Sequence, residues 1–303
     1  MKRDKIIIGT RNSKLAEIYA ERAKKLLSSF FNNKIEISKI QTSGDIKKDS
    51  RLGEYGGKGI FIKEIETDLI NKKIDLAVHS LKDMPTVENE LLITNCFLKR
   101  NDPKEILISK NGKRLEELDP KSIIGTSSFR REYQIKQKRK DLNFKIIRGN
   151  IETRIKKLRN EDYDAIILAK AGLMCLDSKN FITQEFETSD FIPSAGQGIV
   201  VVQCRKDDKD IIDLIENINN ENSRICARAE RKVLEILSGD CSTPVGVISF
   251  LKDDKIKIAA ELFSIDGKKR YYVDLTKEKK FYIELGIEIG KILKKESKGS
   301  YKV

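Results

Sequence analysis

Residues 122–139 read SIIGTSSFRREYQIKQKR, and the order of their parts decides the fold. "SIIGTSS" (122–128) is an apolar run closing on Gly-Thr, which predicts a buried strand. "FRREYQIKQKR" (129–139) continues as a helix, with Ser128 placed to cap it. Working outward, "NFKIIRG" (143–149) reads as the next strand, "NIETRIKKLRN" as a helix capped by Asn150, and "DYDAIILA" (162–169) as a third strand. The same succession occurs near the start of the chain. "KIIIGT" (5–10) leads to a helix after Ser13 with Leu15, Ile18, Tyr19, Leu26 and Leu27 at helical spacing. A strand "KIEISKIQ" (34–41), a polar Gly-rich loop (42–58), a helix "IFIKEIETDLINK" (60–72) and a strand "IDLAVHS" (74–80) follow. "SIIGT" echoes "IIIGT", and "YDAIILA" echoes "IDLAVHS". The fold class is therefore α/β, with two similar βαβ-type lobes and mainly parallel sheets.

"GIVVVQCR" (198–205) is another buried strand, placed to return to the first lobe. From about 218 the pattern changes to a helix "SRICARAERKVLEIL", three strands and a last helix "FYIELGIEIGKILKK". Asp253-Asp254 and Asp266-Gly267 mark hairpin turns between the strands. A small C-terminal α+β domain with an antiparallel sheet is expected. The boundaries are 1–96 with 199–217 for domain 1, 97–198 for domain 2 and 218–303 for domain 3.

Bulk composition narrows the class. The 303 residues are 39% hydrophobic and 35% charged, which fits a globular protein of two or three domains. No apolar run has membrane-spanning length, since Lys170 breaks "DAIILAKAGLMCL". The start "MKRDKIIIGTRNS" has too short an apolar core for a signal peptide, so a cytoplasmic protein is expected. Five cysteines without a CxxC pair, and the single His79, make no metal set, so no metal is expected. The net charge of +13 points to anionic partners. Nucleic acid is not among them: there is no Trp, no exposed aromatic interleaving and no RNA-binding motif. Nothing marks a subunit interface, and a monomer is expected.

The arginines are placed more tellingly than the lysines. Ligands of open parallel sheets sit beyond the carboxyl ends of the strands. Arg11 and Ser13 follow the first strand, Lys58 and Phe61 flank the Gly-rich loop, and Ser80, Lys82 and Asp83 follow the third strand. In the second lobe Thr126, Ser127, Ser128, Arg130 and Arg131 follow the first strand, Arg148 ends the second and Arg154 opens the next helix. Cations in the first turn of a helix oppose its dipole and become favourable once an anion is bound. A ligand with several negative groups is implied. The plainer alternative is that Arg130 and Arg131 pair with surface acids such as Glu132.

Other residues carry two readings. Ser13 serves as an N-cap at least as readily as a ligand contact. His79 ends a buried strand and reads as core, as does Phe61. "GGKG" is not a Walker A loop, because no Ser or Thr follows Lys58. Asp83, in "HSLKDMP", is either a structural counter-ion or a proton-handling group. Cys241, in "LSGDCSTPVG", is a plain loop cysteine unless basic groups favour its thiolate.

Taken together, "GTRNSKLA", "GGKGIFIKEIE", "DLAVHSLKDMP", "IIGTSSFRR", "IIRGNIETRI", "YDAIILAKAGL", "PSAGQGIV" and "ARAERKVLEILSGDC" resemble the porphobilinogen deaminase (hydroxymethylbilane synthase) family along essentially the whole chain. The resemblance implies two lobes like type II solute-binding proteins and a third domain carrying a cofactor. It implies a dipyrromethane held by a thioether to Cys241, and Asp83 as the catalytic residue. Cofactor contacts fall on Ser80, Lys82, Asp83, Thr126, Ser128, Arg130, Arg131, Arg148, Gly149 and Gln197. Substrate contacts fall on Arg11, Ser13, Lys58, Phe61, Arg148 and Arg154. The implied reaction is a transferase reaction of tetrapyrrole and haem biosynthesis. Four porphobilinogen molecules are condensed with loss of ammonia, and the linear hydroxymethylbilane is released by hydrolysis. Two departures stand out: Glu54 where the family often has lysine, and Gly239-Asp240 where Gly-Gly often precedes the cysteine. The competing reading is a non-enzymatic two-lobed binding protein for a polyanionic small molecule, which would need neither Cys241 nor a third domain.

Overall fold

The computed structural model describes residues 3–46, 59, 61–239 and 243–302. Lys58 and Cys241, the departures at Glu54 and Asp240, and most of the 42–58 loop lie outside the described residues.

The chain opens with β1 (Lys5–Arg11), α1 (Lys14–Leu27), β2 (Lys34–Ile40), a one-turn α2 (Ser43–Ile46), α3 (Lys63–Ile70), β3 (Leu76–Ser80) and β4 (Leu92–Phe97). The second run is β5 (Glu105–Ser109), β6 (Ile123–Gly125), α4 (Phe129–Lys138), β7 (Asn143–Lys145), α5 (Ile151–Asn160), β8 (Ala165–Ala169), α6 (Lys170–Cys175) and β9 (Gln184–Phe186). Then come β10 (Val200–Arg205), α7 (Lys209–Glu216), α8 (Glu221–Leu237), β11 (Val245–Lys252), β12 (Lys255–Phe263), β13 (Arg270–Glu278) and α9 (Tyr282–Ser297).

Two five-stranded sheets have matching orders, β2-β1-β3-β10-β4 and β7-β6-β8-β5-β9. In the first, β1 pairs in parallel with β2 and β3, while β10 runs against β3 and β4. In the second, β6 pairs in parallel with β7 and β8, while β5 runs against β8 and β9. Four strands of each sheet thus share a direction and one opposes them. That opposing strand is in each case the first one laid down after the chain crosses between lobes, β5 on the outward crossing and β10 on the return.

The sequence echo has a steric basis. Gly9 of "IIIGT" and Gly125 of "SIIGT" close equivalent central strands. A Cβ would lie 2.2 Å from Ile74 Cδ1 at the first, and 2.9 Å from Ile166 Cγ2 at the second. Each strand is therefore pressed so closely on its neighbours that a Cβ would force Ile74 or Ile166 to shift. Apolar Ile6, Ile8, Leu76 and Val202 fill the first core, and Leu107, Ile124, Ala165 and Ile167 the second.

The two crossing segments are laced together. Asn101 N and Nδ2 both donate to Gly198 O, at 2.8 and 3.1 Å, and Arg100 Nε donates to Gln197 O at 2.9 Å. Arg100 Nη1 also meets buried Glu230 Oε1 at 2.6 Å. Glu230 lies on α8 and further accepts from Gly196 N and Ser249 N, at 2.7 and 2.8 Å. One desolvated carboxylate thus joins the crossing to the C-terminal part, and its hydrogen bonds offset the cost of burying it.

That C-terminal part is the antiparallel sheet β11-β12-β13 with α8 and α9 packed on it. Its core interleaves Ala229, Val233 and Leu237 with Val247, Ile258, Leu285 and Ile289. The β11–β12 turn is tight, with Lys252 opposite Lys255 and Asp253 at φ 52°, as the Asp-Asp pair predicts.

Candidate functional site

A cavity of about 1120 Å³ lies where the two lobes and the C-terminal part meet. It is walled by the ends of strands and the starts of helices. Arg11, Ser13, Phe61, Ser80, Lys82 and Asp83 reach it from the first lobe. Ser128, Arg130, Arg131, Arg148, Gly149 and Arg154 reach it from the second. Gly239 and Thr243, which flank Cys241 in sequence, also line it.

Thr126 and Gln197 stand behind the wall. Thr126 is 2% exposed, and its hydroxyl accepts from Ser128 N at 3.1 Å, which shapes the turn into α4. Gln197 is fully buried; its Oε1 accepts from Lys82 Nζ at 3.3 Å and its Nε2 donates to Pro103 O at 2.8 Å. It holds the lysine rather than facing the cavity. Ser13 and Ser128 do cap α1 and α4, accepting from Ala16 N and Arg131 N at 3.4 Å.

The arginines at the start of α4 have a counter-ion that the sequence reading missed. Glu132, the surface acid considered for them, forms an ion pair with Lys136 at 2.7 Å instead. Arg130 Nη2 and Arg131 Nη2 grip the two oxygens of Glu105 at 2.6 and 2.7 Å, and Arg131 Nε adds a third contact at 3.1 Å. Glu105 has no exposed surface. Burial alone would raise its pKa, but the charges of Arg131 and then Arg130 overcome that and hold it at about 2. Positive charge at a positive helix end is therefore tolerated because a fixed anion sits beneath it. Two guanidiniums against one carboxylate still leave a net positive wall. The one sequence signal was a lone acid at the head of the apolar run "EILIS", in a strand the periodicity reading passed over.

On the same wall, Arg154 donates from Nε to Gly149 O at 2.8 Å. The residue is partly exposed and lines the cavity. Burial, then Arg131 and Arg148, pull its pKa down to about 10. Arg148 is itself 8% exposed. Burial and neighbouring Arg131 likewise lower Lys82. These cations repel one another, and an anion between them would relieve the repulsion.

Facing them, Asp83 follows β3 on a single turn, Leu81–Asp83. Arg11 Nη1 stands 3.8 Å from Asp83 Oδ2, while its guanidinium lies 4.1 Å from the centre of the Phe61 ring. The ion pair is long, and the Asp83 side chain is 38% exposed towards the cavity. His79 is buried, and burial drops its imidazole to about 4, so it is neutral at pH 7 and belongs to the core.

The donor set fits an acidic dipyrrole. Several guanidiniums share the cavity with the carboxylate of Asp83, and that space reaches the residues flanking Cys241. Comparison with known proteins agrees with this chemistry. The family description "Porphobilinogen deaminase, dipyromethane cofactor binding domain" matches residues 6–213, and "Porphobilinogen deaminase, C-terminal domain" matches residues 224–296. A porphobilinogen deaminase of Staphylococcus epidermidis is 42% identical over 302 residues, covering 99% of this chain and 97% of its own. One of Bacillus cereus is 44% identical over 269 residues, covering 87% and 86%. Among solved structures, the methionine binding protein MetQ aligns at 13% identity and a TM-score of 0.44, over 73% of this chain and 92% of its own. On the strength of the family matches and of relatives alike along almost their full length, the chain belongs to the porphobilinogen deaminase family.

Proposed function

We propose that the cationic cavity is where this chain condenses porphobilinogen, and that Asp83 is the residue at the reacting atoms. The activity of the family is that of a transferase joining porphobilinogen units head to tail into hydroxymethylbilane, with a dipyrromethane cofactor. When bound, the dipyrromethane supplies the free pyrrole α-carbon to which the first unit is joined. The thiol to hold it is Cys241, and the groups to hold its acetates and propionates are Arg131, Arg148, Lys82 and the Ser128 turn, with Arg130 supporting Arg131 through Glu105. Thr126 and Gln197 act behind them, on the α4 turn and on Lys82. Arg11, Ser13, Phe61 and Arg154 form the approach for the incoming substrate, together with Lys58.

Each porphobilinogen brings an acetate and a propionate, so the arginines match carboxylates with planar forks. When the aminomethyl nitrogen leaves as ammonia, positive charge spreads onto the pyrrole nitrogen. The Asp83 carboxylate, only loosely engaged by Arg11, is free to sit beside that N–H and stabilise the charge. It can then assist removal of the α-proton as the carbon–carbon bond closes. The single observation that carries this reading is the Asp83 carboxylate, 3.8 Å from Arg11, facing a wall of mutually repelling cations.

Three domains follow from the same reading: 1–96 with 199–217, 97–198 and 218–303. The three separate sheets support them. A cytoplasmic monomer is the simplest form. In support, the described Cys96, Cys175, Cys204 and Cys226 are all unpaired thiols, and no described helix is long and apolar enough to cross a membrane. The direct test is to incubate the purified chain with porphobilinogen and follow ammonia and the product. Four ammonia per linear tetrapyrrole is the expected result. Tight binding of porphobilinogen without ammonia release would favour the binding-protein alternative.

A further inference from the structure

Asp83 follows β3 in the first lobe and Gly239 follows α8 in the C-terminal part, yet the turn after Asp83 touches Gly239. Thr86, three residues past Asp83, donates its hydroxyl to Gly239 O at 2.7 Å, and Gly239 is two residues short of Cys241. Both ends of this contact are held. On the Asp83 side, Arg231 of α8 gathers the carbonyls of Pro85 and Thr86 with Nη2, and Met84 O lies 3.5 Å from its Nη1. Glu88 Oε1 stands 3.6 Å from the same guanidinium. On the other side, α8 ends in a closed turn: Ser238 is left-handed at φ 51°, its N–H bonds Glu235 O, and Gly239 N bonds Leu234 O. This paired closure fixes the direction in which the chain leaves the helix.

We infer that Thr86, braced by Arg231, is a positioning residue that holds the turn carrying Asp83 against Gly239, the last described residue before Cys241. The inference rests on the roles proposed above for Asp83 and Cys241. Short, rigid links matter here because reaction needs the joined carbons at near-attack separation, and a shift of about 1 Å can cost about 100-fold in rate. The link joins the first lobe to the C-terminal part, and although Thr86 and Gly239 line the cavity, their polar atoms are spent on each other and on Arg231, so none of the cations proposed to bind carboxylates is altered by its loss. Its loss should therefore act on the chemical step and not on substrate affinity. It should also act unevenly, because the first additions take place nearest the anchor.

The test compares Thr86→Val, which keeps the shape and removes the donor, with Thr86→Ser, which keeps the donor. Intact mass first establishes that each variant carries the dipyrrole adduct. The expected result for Thr86→Val is a full adduct, KM within about twofold of the parent and kcat lowered about tenfold. Mass spectra during turnover should show bound species shifted towards the shortest additions. Thr86→Ser should restore both readouts. Arg231→Lys, which keeps charge and loses the fork, should move kcat and the mass distribution in the direction of Thr86→Val. Turnover and mass distribution of Thr86→Val equal to the parent, or Thr86→Ser as impaired as Thr86→Val, would overturn the coupling alone. Absence of any adduct on the parent chain would remove the underlying reading and the coupling with it.

Discussion

Asp83→Ala is expected to lower kcat between about 100-fold and about 10,000-fold, the range for a group that handles both charge and a proton. The fold and the adduct on Cys241 should survive. Four other described carboxylates line the cavity, and each is engaged. Glu66 accepts from Gln203 Nε2 at 2.9 Å, Glu88 faces Arg231, Glu152 lies 3.6 Å from Lys14 Nζ, and Glu235 holds Lys232 Nζ at 2.6 Å. Asp83 is set apart by its neighbours, since it stands 3.8 Å from Arg11 and its charge acts on both Lys82 and Arg154. Because charge is what the reaction needs, Asp83→Asn should be almost as slow as Asp83→Ala despite keeping the shape. Ammonia release under saturating porphobilinogen measures this. A loss smaller than tenfold in both variants would show that Asp83 is only a counter-ion to Arg11.

Glu105→Gln should produce a large loss of stability. The parent buries two guanidiniums against one carboxylate, and the neutral amide would leave both cations uncompensated. Breaking a buried pair in this way costs about 3–5 kcal/mol. The sign with pH follows from the depressed pKa. A carboxyl moved from 4.5 in the unfolded chain to about 2 in the folded one stabilises fully above about pH 4.5. That contribution fades as pH falls towards 2. The gap between parent and Glu105→Gln in urea unfolding should therefore be widest at neutral pH and should narrow below about 4.5. A gap under 1 kcal/mol at pH 7 would mean that water or another anion already serves these arginines. Glu105→Asp shortens the reach from β5 and should fall between the two.

How much of this was legible in the chain differs by element. The paired lobes were readable because "IIIGT" and "SIIGT" repeat a glycine packed closely on neighbouring side chains, a local constraint that leaves a local mark. Strands β4, β5 and β9 were passed over. Their runs are short, and they owe their place to pairing with strands far away in sequence, as β5 does with β8 and β9. The predicted strand "NFKIIRG" proved to be only Asn143–Lys145, so Arg148 lies beyond it on the loop into α5. The return of "GIVVVQCR" was correctly read, but not that it runs against its neighbours. At the site, cations at strand ends and helix starts could be listed from sequence, because those positions follow from periodicity. Their counter-ion could not. Glu105 lies 25 residues from Arg130, and only the folded sheet brings it beneath α4. The same holds for Thr86 and Gly239, 153 residues apart. Thr126 and Gln197 show the converse, for motif membership named them but not the side of the wall they occupy.

Whether a sulfur-anchored acidic primer sits in this cationic cavity is tested most directly by intact-mass measurement of the purified chain. The expected mass exceeds that of the bare polypeptide by one dipyrromethane, with the excess abolished in Cys241→Ala and colour given with a pyrrole reagent. A bare mass for the parent chain after exposure to porphobilinogen, or an adduct that persists in Cys241→Ala, would contradict it.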